Sequence, residues 1–150
     1  MLRYRAVDGG TEVALVEWKL VEDYRGKELS GGQAGRATRE RAHRAAWEAG
    51  SGPIRRELVD YDELFVDPLY QLFRLQMLAA AMERTGELGA DVVRLVWVVP
   101  EANDALTPYG RRWGTLLRTP DRFAVLDSRR FAEEPLGLTD AEYVRRYAFD

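Results

Sequence analysis

The sequence predicts an α/β domain with a mixed central sheet that opens on an N-terminal β-hairpin and is flanked by helices. Three observations predict it. Apolar and polar residues alternate ahead of the glycine turn Asp8-Gly9-Gly10-Thr11, and a strand-like stretch rich in Val, Leu and Trp follows it. An amphipathic stretch begins after Asp67-Pro68. A nearly continuous apolar run, Val92 to Val99, ends at Pro100.

Taken in order, Leu2, Tyr4 and Ala6 alternate with Arg3 and Arg5, the period-2 pattern of a strand. Gly9 and Gly10 are available for positive φ in the turn. Glu12 to Val21 is strand-like, rich in Val, Leu and Trp. Residues 22–34 hold Gly26, Gly31 and Gly32 and read as a loop. Residues 35–49 read as a helix ended by Gly50-Ser51-Gly52-Pro53. The next helix starts with Asp67 as N-cap and Pro68 at the first helical position, and stops near Gly86 or Gly89. Leu69, Leu72, Phe73, Met77 and Ala80 form one apolar stripe; Leu75, Leu78 and Met82 form a second, so this helix is expected to be covered on most sides. Val92–Val99 fits a central strand buried on both faces. A helix is expected over 109–118. A short strand is expected over Phe123–Leu126, with Asp127 as the cap of a helical segment from Ser128 onward. A last helix is expected from Thr139-Asp140-Ala141-Glu142 to Tyr147.

The 150 residues make about one domain. Hydrophobic residues at 46% and charged residues at 31% suit a globular chain that buries its own core. The absence of cysteine excludes disulfide frameworks, thiolate metal sites and cysteine nucleophiles. A single histidine, His43, excludes His-rich metal sites. The longest apolar run, Leu95 to Val99, is too short to span a membrane, and Met1 to Arg5 lacks the apolar stretch of a signal peptide. The expectation is a cytoplasmic protein with no membrane partner.

The net charge of −3 carries no global signal for nucleic acid. Arg36, Arg39, Arg41, Arg44, Arg55 and Arg56 nevertheless crowd one segment, with Glu40 and Glu48 between them and Glu57 directly after. That segment reads either as a solvated Arg/Glu helix, with His43 solvated among them, or as a basic surface facing phosphates. Trp47, Trp97 and Trp113 read as core or interface residues. Of 22 basic residues only Lys19 and Lys27 are lysine. Lysine has a tunable pKa, whereas arginine stays charged.

The chemistry sits in Glu17-Trp18-Lys19. On a strand, residues two apart share a face with Cα atoms roughly 6.5 Å apart. Glu17 and Lys19 therefore continue the face of Val13 and Leu15. A buried charge is costly unless paired or bound to a metal. Either the strand emerges into solvent and the two residues pair there, or they form a site.

The segment Val13-Ala14-Leu15-Val16-Glu17-Trp18-Lys19 is an apolar strand ending in E-x-K, preceded by a hairpin and followed by a helix carrying glutamines. It resembles the core of the PD-(D/E)XK nuclease superfamily, the restriction-endonuclease-like fold. The runs Leu15 to Tyr24 and Asp67 to Gln76, and Gly89-Ala90-Asp91 leading to Pro100-Glu101-Ala102-Asn103, look like those of a bacterial restriction-endonuclease-like family within it, over about residues 2 to 106. The resemblance implies a Mg²⁺-dependent phosphodiesterase acting on DNA, with Mn²⁺ as the alternative ion. By position, Glu17 would ligate the metal, Trp18 would offer its backbone carbonyl, and Lys19 would orient or activate water. Several superfamily branches carry a glutamine on the helix after the E-x-K strand. Gln71 or Gln76 would then contact phosphate or support the site; the alternative is a packing amide bonded to backbone. Tyr24 would contact DNA or pack on the domain.

The superfamily motif also needs an acid on the preceding strand. If Asp8 faces Thr11, Glu17 lies opposite Leu2 and Lys19 opposite a position ahead of Met1. The aspartate is then expected at or ahead of the first residue, and the chain reads as one restriction-endonuclease-like domain lacking its N-terminal helix and first acidic ligand. Asp8 itself, six residues from the Glu17 level, lies roughly 20 Å away at ~3.3 Å per residue. Two further expectations stand beside a nuclease. One is a catalytically incomplete module with a DNA-binding, assembly or regulatory role. The other is a fragment whose exposed hairpin edge pairs copies into a homodimer.

Overall fold

The computed structural model describes residues 1–19 and 32–133. Tyr24, Lys27 and the helix expected to reach Tyr147 lie outside the described residues. Among those described, β1 (Leu2–Arg5) and β2 (Thr11–Trp18) form an antiparallel hairpin. β3 (Val92–Val99) pairs parallel with β2, and β4 (Phe123–Asp127) pairs parallel with β3. The result is a four-stranded mixed sheet in the order β1-β2-β3-β4. It carries four α-helices: α1 (Gly32–Glu48), α2 (Leu69–Thr85), α3 (Thr107–Leu116) and α4 (Ser128–Glu133). The α/β architecture read from the sequence is the one observed. No helix among the described residues is long and apolar enough to cross a membrane.

The hairpin register differs from the expected one. Leu2 faces Ala14 and Arg5 faces Thr11, so the loop runs from Ala6 to Gly10 rather than through Gly9-Gly10 alone. Two backbone bonds close it, Ala6 N–H to Gly10 O at 2.8 Å and Gly9 N–H to Ala6 O at 2.9 Å. Gly9 adopts φ 91°, open to glycine at little cost. Asp8 accepts the Gly10 N–H at 3.0 Å, which holds it in the turn. The β1–β2 pairing therefore ends at Ala14, three residues short of Glu17.

Helix α1 begins at Gly32, ahead of the expected residue 35, because glycine is tolerated at a helix N-terminus. Pro68, not Asp67, is the N-cap of α2, since its φ −88° and ψ 0° fall short of helical values. Gly86, at φ 63°, closes α2 in the left-handed conformation and donates its N–H to the Met82 and Glu83 carbonyls. Asp127 caps α4 as expected, accepting the N–H groups of Arg129 and Arg130 at 2.9 and 3.1 Å.

One sheet face is sealed by α2 and α3. Val13, Leu15, Val93, Leu95, Trp97 and Val99 lie here beneath Leu69, Leu72, Phe73 and Trp113. The other face is thinner. Arg94 and Val96 are half-buried there, so β3 is not buried equally on both sides. Near the strand starts that face carries a polar group of Tyr4, Glu12 and Arg94. Helix α2 is likewise covered on one side more than expected: Leu72 and Phe73 are fully buried while Leu78 stays 47% exposed. The segment 54–66, which shows no clear periodicity, forms short 3-10 turns that deliver Tyr61, Leu64 and Phe65 to the core.

Candidate active site

Strand alternation places Glu17 and Lys19 as the continuation of the buried Val13–Leu15 row. β2 keeps its course past Trp18, because Lys19 N–H donates to Val98 O at 2.8 Å. Lys19 Nζ lies 2.8 Å from Glu17 Oε1. The two ends of this pair differ in exposure: the Lys19 side chain is 5% exposed, the Glu17 carboxylate 28%. The strand therefore does not simply emerge into solvent at Lys19. The ammonium is taken into the fold and the carboxylate stands at the water boundary. A buried cation needs such a partner, since unpaired it would cost several kcal/mol or more.

The register puts Glu17 beside Trp97 of β3, whose indole is fully buried. Trp18, between the pair, turns its indole to the opposite face, edge-on to Phe131 at 5.3 Å. Only its main chain is left for the Glu17 side. Because β1 pairs no further than Ala14, it sets no side chain opposite Glu17. Among the described residues no three His, Cys, Asp or Glu side chains cluster as a metal site would. The loop leaving β3 brings an exposed Glu101 to the same end of the sheet, tied by its N–H to Asp127 Oδ2 at 2.8 Å. The signal for Glu101 was its place directly after Pro100 at the strand end.

The two glutamines behave differently from packing amides. Gln76 is 2% exposed, and its Oε1 has no hydrogen-bond partner. Gln71 Oε1 is buried and equally unpartnered. Among the described residues, Gln76 shares no cavity with the Glu17–Lys19 pair. It lines a cavity with Val93 and Arg122, where the parallel strands begin.

The arginine-rich segment is largely engaged within the domain. Arg36 pairs with Glu40 at 2.7 Å and Arg44 with Glu48 at 3.9 Å. Arg44 also lies over the Tyr61 ring at 4.2 Å, and Arg39 over Tyr70 at 5.6 Å. Arg56 donates to the Trp47 and Glu48 carbonyls. His43 is not solvated as expected. It is half-buried against Phe73 at 5.1 Å, because α1 leans its apolar side on α2. Burial, with the Arg74 charge, pushes its pKa down. Trp97 and Trp113 are core residues as read, and Trp47 packs on Tyr61.

Residues 2–148 match the family described as restriction endonuclease associating with ARP. No curated protein and no solved structure matches the chain.

Proposed function

Because this chain belongs to the family of restriction endonucleases associating with ARP, we propose that it is a nuclease domain of PD-(D/E)XK type that hydrolyses phosphodiester bonds in DNA, with the Glu17–Lys19 pair as its catalytic centre. The observation that carries this reading is the 2.8 Å contact between a buried lysine and a partly exposed glutamate at the end of an apolar strand. The donor set suits Mg²⁺ or Mn²⁺, which take oxygen ligands, keep several waters and need only one or two carboxylates. Glu17 would hold the ion together with the Trp18 carbonyl. The ion, when bound, supplies Lewis acidity and a more acidic water. Lys19, its ammonium against Glu17, would orient the attacking water or exchange a proton with it. Arginine could not exchange that proton. Gln71, with its buried unpartnered carbonyl, is available to bind a phosphate-bound water. Association with ARP, as the family description has it, belongs to the same proposal.

The test is cleavage of plasmid DNA with Mg²⁺ or Mn²⁺ by wild type, Glu17→Ala and Lys19→Ala. Loss of cleavage in both variants is expected. Equal activity in all three overturns the proposal. The second reading is a non-catalytic nuclease-fold module. Salt-dependent DNA binding without cleavage by wild type would select it.

A further inference from the structure

A cavity of about 440 Å³ lies between the second half of α2 and the turns that enter β4. That size is within the range of small-molecule sites. Its lining includes Gln76, Glu83, Arg84, Arg118, Thr119 and Arg122. It lies apart from the Glu17–Lys19 pair. Its β3 residue is Val93, whereas Glu17 registers with Trp97. Four residues of strand at ~3.3 Å each separate those levels by roughly 13 Å.

The floor of this cavity is an amide without a partner. Gln76 is 2% exposed, and its Oε1 accepts no hydrogen bond. An apolar side chain of the same length would fill this place at lower cost, since a buried amide needs both its donor and its acceptor met. The wall is an ion-paired guanidinium: Arg122 donates to Asp121 Oδ2 at 3.0 Å as well as to Glu83. Arg122 donates to both Glu83 oxygens at 3.1 and 3.2 Å, and Glu83 also accepts the Val93 N–H at 2.8 Å. The two carboxylates together neutralise Arg122, and the bonds fix the shape of the cavity.

The rim is cationic and open. Arg84 is exposed and makes no ion pair or hydrogen bond among the described residues. Among the described residues the Arg118 guanidinium reaches only the Gly50 carbonyl, at 3.5 Å. With Arg122 neutralised by Glu83 and Asp121, Arg84 and Arg118 are the positive charges left at the mouth of the cavity. An anion alone would satisfy the arginines and leave the amide orphaned. An uncharged ligand would do the reverse. A ligand with a flat donor–acceptor edge at one end and a phosphate at the other meets both. A glutamine amide pairs with the donor and acceptor of an adenine edge in this way, and arginine matches phosphate geometry.

We propose that this cavity binds a nucleotide, with Gln76 pairing to the base edge at the floor and Arg84 and Arg118 holding the phosphate at the mouth. The site is independent of whether Glu17 and Lys19 cleave DNA.

The experiment is calorimetric titration of the full chain with AMP, adenosine and inorganic phosphate. Wild type is compared with Gln76→Leu, the double variant Arg84→Ala/Arg118→Ala, and Glu17→Ala. Wild type is expected to bind AMP more tightly than either fragment, and both cavity variants to lose at least about tenfold in affinity. Glu17→Ala is expected to bind AMP as wild type does. Gln76→Leu replaces an unpartnered amide with an apolar group of similar size, so its melting temperature should equal or exceed that of wild type. The loss of binding is then not a loss of fold. The proposal is overturned if wild type binds no AMP, if phosphate or adenosine alone binds as tightly as AMP, or if either cavity variant binds AMP as wild type does. Loss of AMP binding in a folded Glu17→Ala overturns the separation of the two sites.

Discussion

Gly110 of α3 stands directly against the indole of Trp97: a Cβ on Gly110 would lie 2.9 Å from two of its ring carbons and 2.9 Å from Val125 Cγ2. The contact joins α3 to β3 and β4 at the level of the sheet where Glu17 registers with Trp97. Trp97 is fully buried and has nowhere to retreat.

Gly110→Ala therefore tests whether packing or helix propensity wins at this position. In an exposed helix interior the change would gain ~1 kcal/mol. Here overpacking against a fixed indole is expected to cost ~1–3 kcal/mol. Thermal denaturation should show a melting temperature lower by about 2–8 °C. An unchanged or raised value would mean that α3 can lift off the sheet freely.

Lys19 offers a sharper test of the candidate site than Glu17. Its ammonium is buried beside the Glu17 carboxylate, so size and charge can be varied separately. Lys19→Arg keeps the charge but holds its protons too tightly to exchange one with water. Both Lys19→Arg and Lys19→Ala are expected to lower DNA cleavage by about 10²–10⁴ fold. Cleavage rates at saturating Mg²⁺ give the comparison, with circular dichroism confirming that the variants are folded. An active Lys19→Arg would remove proton exchange from Lys19's role.

The polar group on the thin sheet face predicts a pH response. Arg94 donates to both Glu12 oxygens, at 2.8 and 3.0 Å, and Tyr4 O–H donates to Oε2 at 2.8 Å. The Arg94 hydrogen bonds, then that of Tyr4, hold the Glu12 carboxyl at about 2, well below its ordinary 4.5. A carboxyl with a depressed folded-state pKa contributes stability that is complete above pH ~4.5 and is lost as pH falls through about 2. Urea denaturation at stepped pH should show this acid limb, and Glu12→Gln should flatten it. Glu63, also held low by its hydrogen bond from Arg112, leaves a residual slope in the variant. Identical profiles for the two proteins would show that Glu12 is not the group responsible.

Asp127 joins two elements through one carboxylate. Its Oδ1 caps α4, and its Oδ2 accepts the Glu101 N–H from the loop after β3. Asp127→Ala is expected to destabilise by ~0.5–2 kcal/mol, the usual cost of a lost cap. Asp127→Asn, which keeps an acceptor, should recover part of that. Equal midpoints in urea for all three proteins would show that the carboxylate carries none of this stability.

Much of this molecule was legible in residue order. Alternation ahead of Gly9-Gly10 and the apolar stretch after it predict the hairpin, and the Val92–Val99 run predicts the central strand. The shared face of Glu17 and Lys19 comes from the two-residue period of any strand. Asp127 before Ser128 reads as a cap because the capping bonds reach only two and three residues along the chain. Each of these rests on backbone geometry within a few residues.

The features that the tertiary structure alone decided depend on groups far apart in sequence. The hairpin register turned on how the Ala6–Gly10 loop closes, and that moved the end of the β1 pairing from the Glu17 level to Ala14. The burial of Lys19, 5% exposed, is a property of the fold around it, not of the strand period that orients it. Gln76 sits in an apolar stripe by periodicity, yet whether its amide meets a backbone or a cavity is settled by Val93 and Arg122 from the other side. Tyr61, Leu64 and Phe65 enter the core from short turns with no periodic signal. Local sequence specifies the direction a side chain points, whereas its surroundings there are fixed only when distant elements pack against it.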